Sequence, residues 1–193
     1  SLDLSTSNFD SLSELAWFPE LKDLKLSDNQ MASIDLLPLL NNLQSLDISS
    51  NSIQNFKTLS KFPKLKHLDV AANGIRNLDS LPQFPVLESL SLSDNKIDNY
   101  NKLSSYSRLN SLVISKCFTT SMDSFPIIPK LETLDISNNS IGNSYGSVKL
   151  FQLVIANKSV KDLSLSDNLL SDLSFLSLGM ERGKKKNTTA LVF

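Results

Sequence analysis

The chain has 193 residues, with 19 Lys and Arg against 20 Asp and Glu, so it can bury a sizeable core but is too evenly charged for a general nucleic-acid binder. One Cys and one His exclude an internal disulfide and leave almost no material for a zinc site or a His-based triad. No apolar run approaches the roughly 18 residues of a membrane span, and 5 glycines speak against a Gly-rich phosphate cradle.

From the first residues onward the chain repeats every 22 positions, as Leu2, Leu24, Leu46, Leu68, Leu90, Leu112 and Leu134 show. Two places on run Leu4, Leu26, Ile48, Val70, Leu92, Ile114 and Ile136; three places before the first column run Leu21, Leu43, Leu65, Leu87, Leu109 and Leu131. A polar column holds Asn29, Asn51, Asn73, Asn95 and Asn139, with Cys117 in the same position. Further along each unit come Leu15, Leu37, Leu59, Leu81, Leu103 and Phe125, then Phe18, Leu40, Phe62, Phe84, Tyr106 and Ile128. Such self-similarity defines a solenoid of stacked units.

The units LKDLKLSDNQM, LESLSLSDNKI and LETLDISNNSI resemble the leucine-rich repeat family over nearly the whole chain. Their length is similar to the short class found in the protein phosphatase-1 regulatory subunit, an outer-arm dynein light chain and bacterial internalins. The resemblance implies an α/β solenoid, a right-handed superhelix with a parallel concave β-sheet and a short 3₁₀ or helical convex side. It implies little about function, because one scaffold serves many partners.

The residues give the same architecture. Each L-x-L is a short strand with both leucines facing inward, and no unit buries that face alone, so neighbours must stack. The Asn amide can serve the adjoining turn as donor and acceptor. Pro19, Pro63, Pro85 and Pro129 end the outer turn without removing a ladder hydrogen bond. About eight strands are expected.

Residues 1–141 form the regular array. Residues 142–178 hold a longer unit and the last full repeat, because Leu134 to Leu163 is 29 positions. Val148, Leu150, Phe151, Leu153, Val154 and Ile155 predict a helix there of about three turns, similar to the ribonuclease-inhibitor type of repeat. Residues 179–193 start a further repeat or form a cap. Either Phe193 opens a strand or Leu191-Val192-Phe193 is itself the L-x-L, and both readings expect a sequence cut from a longer array.

No constellation looks catalytic, so no enzyme, cofactor or metal is expected. His67 projects from the sheet beside Leu68, and Cys117 reads as a buried structural thiol. A calcium site on the Asp column is poorly supported, because straight strands offer no shaped loop. The run Lys184 to Lys186 reads as a solvated loop, and the triplets at Asn138, Asn157 and Asn187 arise at about the rate composition gives.

Side chains flanking the leucines face away from the core. Asp23, Lys25, Asp47, His67, Asp69, Val113, Asp135 and Asp162 are therefore the candidate partner-binding residues. With Asp3, Asp28, Asp94, Asp167 and Lys116, the face collects nine acids against two lysines. The expectation is a non-enzymatic scaffold or adaptor in the cytoplasm, the repeat region of a larger protein, that binds a basic protein partner and neither nucleic acid nor a small-molecule substrate. The rivals are an internalin-like surface adhesin and the repeat arm of a multidomain enzyme or sensor; a nuclear or cell-surface location stays open.

Overall fold

A computed structural model of the chain describes residues 1–7, 11–120, 122–142, 156–170 and 190–192, the last as backbone. The expected helix over residues 145–157 falls almost wholly outside these, as does the lysine run at 184–186.

Among the described residues, nine strands form one parallel sheet in strict chain order. They are β1 (Leu2–Asp3), β2 (Asp23–Lys25), β3 (Ser45–Asp47), β4 (His67–Asp69), β5 (Ser89–Ser91), β6 (Ser111–Val113), β7 (Thr133–Asp135), β8 (Asp162–Ser164) and β9 (Ala190–Val192). The register follows the repeat: Leu24 lies beside Leu46, Leu46 beside Leu68, and so on to Leu134 beside Leu163. The sheet agrees with the expected about eight strands, and β9 adds the further repeat's strand by setting Leu191 against Leu163. Of the two registers open at the C-terminus, the strand thus uses the one centred on Leu191.

Each strand is three residues or shorter because only the L-x-L segment has the alternation a strand requires. The chain then crosses the core and returns along the outer side. Among the described residues, three returns contain 3₁₀ turns, at Ser13–Trp17, Lys57–Lys61 and Asn101–Ser105. The return closes in a tight turn, where Leu21 N–H donates to the Phe18 carbonyl at 3.0 Å and Leu65 N–H to the Phe62 carbonyl at 3.1 Å. Pro19 and Pro63 occupy the second position of these turns, where a fixed φ helps and no N–H is needed.

The repeat columns are the core. Leu46, Leu90, Leu112, Leu134 and their equivalents from Leu24 to Leu163 are buried, as are Leu26, Ile48, Val70 and Leu92 behind them, and Leu2 is partly buried. Phe18 is the exception in its column: it is 48% exposed, while Leu40, Phe62, Phe84, Tyr106 and Ile128 are buried. It belongs to the first repeat, which has a stacking neighbour on one side only among the described residues.

The Asn column is a hydrogen-bonded ladder running inside the turn that leaves each strand. Asn95 Nδ2 donates to the carbonyls of Val70, Leu92 and Ser93 at 3.2, 2.8 and 3.2 Å. Its Oδ1 accepts from the backbone N–H groups of Asn73 and Ile75 at 3.1 and 2.8 Å. Asn29, Asn51, Asn73, Asn139 and Asn168 repeat the pattern. Cys117 takes the same place with fewer bonds: its thiol donates toward Leu92 O at 3.3 Å, and Sγ accepts from Asn95 N–H. Burial pushes this thiol up from its usual range, as expected of an inert structural cysteine.

The residue before each ladder position has a left-handed backbone: Asp28, Ser50, Ala72, Asp94, Lys116, Asn138 and Asp167 all lie between φ 51° and 58°. Asp and Asn tolerate this region through local hydrogen bonds; Ala72 and Lys116 adopt it at a cost of about 1–2 kcal/mol each. The ladder fixes the backbone there despite the local preference.

Candidate functional site

The parallel register gathers the candidate residues on one face of the sheet in two ladders. Asp23, Ser45, His67, Ser89, Ser111, Thr133 and Asp162 are sequential neighbours on the leading side of the strands. Lys25, Asp47, Asp69, Ser91, Val113, Asp135 and Ser164 are neighbours on the central line. All eight candidates are at least partly exposed. They fall into two groups, Asp23, Lys25, Asp47, His67 and Asp69 on β2–β4, and Val113, Asp135 and Asp162 on β6–β8. The serines of β5 separate them.

The central aspartates share a local geometry. Asp47 Oδ1 accepts from Ser49 N–H at 2.9 Å and from the Ser49 hydroxyl at 2.7 Å. Asp69 Oδ1 accepts from Ala71 N–H at 2.9 Å, and Asp135 Oδ1 from Ser137 N–H at 2.9 Å. Asp3 does the same with Ser5. Each carboxylate thus caps the turn that follows its own strand and commits one oxygen to it. The sequence reading assigned these residues to a partner alone; the D-x-S spacing was the available signal for this second role.

Charge is compensated unevenly along the face. Lys25 Nζ approaches Asp3 at 3.5 Å, and the two Ser5 hydrogen bonds, helped by this charge, hold the Asp3 carboxyl below its ordinary range. Asp47 and Asp69 lie directly opposite each other on β3 and β4, and neither has a salt-bridge partner among the described residues. Burial pushes the Asp69 carboxyl upward, the Asp47 charge adds to this, and the Ala71 N–H and Ser91 hydroxyl oppose it. Two like charges side by side on adjacent strands destabilise the sheet unless a cation covers them.

On the opposite, convex side Trp17 is 78% exposed, Leu36 82% and Leu39 59%. Sequence reasoning missed these residues. The signal was there: Trp17 and Leu39 share a repeat position with Lys61, Gln83 and Ser105, and Leu36 shares one with Glu14, Thr58 and Lys102.

This geometry is that of a leucine-rich-repeat solenoid fold. A two-copy leucine-rich repeat profile matches residues 41–83, and a single-copy profile matches residues 128–144. Internalin C2 of Listeria monocytogenes is similar in structure over 100% of this chain and 78% of its own, with TM-score 0.77 and 22% identity. A leucine-rich repeat protein of Leptospira interrogans matches 94% of this chain and 51% of its own, with TM-score 0.64 and 22% identity. The TLR13 chain of a TLR13–ssRNA13 complex matches 82% of this chain at TM-score 0.63 and 27% identity, this chain spanning 23% of that chain. No curated protein matches in sequence. No helix among the described residues is long and apolar enough to cross a membrane.

Proposed function

We propose that this chain is a non-enzymatic protein-interaction module, a cytoplasmic scaffold or adaptor that binds a basic protein segment on its concave face. The observation that carries the reading is the Asp47–Asp69 pair, which is adjacent, partly buried and without a salt bridge among the described residues. A Lys or Arg side chain from a partner laid across β3 and β4 relieves that repulsion and gains a charge-assisted hydrogen bond. Asp135 and Asp162 offer a second anchor across the serines of β5, so an extended partner running across the strands meets both groups. Phosphate backbones meet like charge on this face, which opposes a nucleic-acid partner.

The rival reading, an internalin-like surface adhesin, draws on the structural similarity to internalin C2 over 100% of this chain and 78% of that one. A repeat arm of a multidomain enzyme or sensor uses the same face, and its chemistry lies in other domains.

The test uses asparagine. An Asp→Lys exchange removes the turn caps together with the charge, whereas Asp47→Asn/Asp69→Asn/Asp135→Asn keeps each Oδ1 acceptor. Affinity capture from source lysate at low salt should yield a basic partner with wild type. The folded triple variant should retain it at least about tenfold less well, the loss of roughly one charge-assisted contact. Equal capture by both proteins defeats the concave-face assignment.

A further inference from the structure

Three exposed apolar residues of the convex side, Trp17, Leu36 and Leu39, lie between charges of opposite sign. In the first repeat Glu14 and Glu20 flank Trp17; in the second, Leu36 and Leu39 take the corresponding outer positions; in the third, Lys57, Lys61 and Lys64 follow. All of these except the leucines and Trp17 are charged, and all are exposed. Members of one column touch from repeat to repeat: Asn42 Nδ2 donates to Glu20 Oε2 at 3.1 Å, and Lys64 Nζ donates to Asn42 Oδ1 at 2.8 Å. The surface therefore reads acidic, apolar and basic along the solenoid axis. Asp35, in the middle repeat, is engaged by the Thr58 and Ser33 hydroxyls.

A patch with this order is complementary to itself when reversed. We propose that the convex face of the first three repeats is the contact surface of a two-fold dimer, with a second copy of this chain docked antiparallel. The two-fold axis runs along the second repeat and stacks Leu36 and Leu39 on their counterparts. It sets Trp17 of each copy against Lys61 of the other, a cation–π arrangement, and Glu20 against Lys64. Isologous contacts require this self-complementarity, and a flat lipid surface or an unrelated partner gives no reason for acids at one end of the stripe and lysines at the other.

The size of the patch sets the strength. An aromatic side chain buries about 150–250 Å², so one Trp, two Leu and part of Phe18 from each copy give an interface near the lower limit of about 1,200 Å². The dimer is accordingly weak, concentration-dependent and loosened by salt.

Trp17 is the single tryptophan of the chain, so its emission reports the contact directly. Sedimentation equilibrium on the whole chain should show a monomer–dimer equilibrium, with a blue shift of Trp17 emission at the same concentrations. Leu36→Glu should weaken it on the order of tenfold or more. The charge variants give the decisive arm. Glu14→Lys/Glu20→Lys and Lys61→Glu/Lys64→Glu should each fail to self-associate, yet form a heterodimer when mixed, because each then presents one sign to the other. Circular dichroism verifies that every variant is folded. A monomer at all concentrations, or a dimer that survives the charge variants, overturns the proposal. A monomer whose Trp17 shifts only with anionic phosphatidylserine vesicles overturns it in favour of a membrane surface.

Discussion

The Asn ladder and the Asp row each set short polar side chains at a fixed repeat position, and both bond the backbone of the turn beyond the strand. The ladder is closed. Asn95 spends both amide hydrogens and its oxygen on five backbone groups, buried where no water competes. The row is open: Asp47, Asp69 and Asp135 bond their own turns through one oxygen and carry a charge besides. A closed network stabilises the fold and offers nothing to a partner. An open one gives up stability and leaves a group for recognition.

The comparison breaks most sharply at Asn95. Asn95→Ala leaves buried donors and carbonyls unpaired, at about 1–3 kcal/mol for each group that water cannot reach, so chemical denaturation should register a loss of about 3–5 kcal/mol. The same experiment on Cys117→Ala should cost about 1–2 kcal/mol, because that rung makes fewer and weaker bonds. Equal losses would mean that the ladder bonds do not set the stability of the turn. The buried thiol should also react with iodoacetamide only as fast as the chain opens.

A smaller effect of opposite sign is expected one residue earlier. Ala72 has φ 51° and Gly74 φ 70°. Ala72→Gly should stabilise by about 0.5–1 kcal/mol through relief of left-handed strain, and Gly74→Ala should destabilise by a similar amount. At Gly74 the added methyl meets only Gln54 Nε2 at 3.8 Å, so the cost is conformational. Thermal midpoints of the two variants should move in opposite directions.

The smallest effect belongs to the open row, and pH reveals it. Asp69 titrates above its ordinary value of 3.8 in the folded chain. Between those two values the folded state holds more protons than the unfolded state, so stability falls as pH rises through the window. Above the folded pKa the ionised carboxylate is a constant burden. Asp69→Asn should therefore be at least as stable as wild type at pH 7, and the difference should shrink as pH falls to 3.8. A variant less stable than wild type at neutral pH would show that the carboxylate is already compensated.

Much of this was legible in the amino-acid order. The 22-residue columns gave the strand register, the buried leucines and the identity of the outward-facing aspartates, because a stacked repeat converts sequence periodicity into spatial adjacency. Cys117 was legible as a ladder residue from its column. The D-x-S caps were not drawn from their spacing, and the apolar exceptions Trp17, Leu36 and Leu39 passed unnoticed among polar columns. Between the two C-terminal registers, sequence similarity alone gave no decision.

The sequence by itself thus determined the repeating unit, its inward and outward faces and the composition of each column. These depend on local alternation and on a period that every unit shares. Only the tertiary structure decided which neighbours compensate one another. It turned Lys25 toward Asp3 and left Asp47 and Asp69 without an ion pair among the described residues, set Leu191 beside Leu163, and exposed Phe18 where its equivalents are buried. Those outcomes depend on which side chains reach across from the next repeat, and a column of letters fixes their order without fixing their direction.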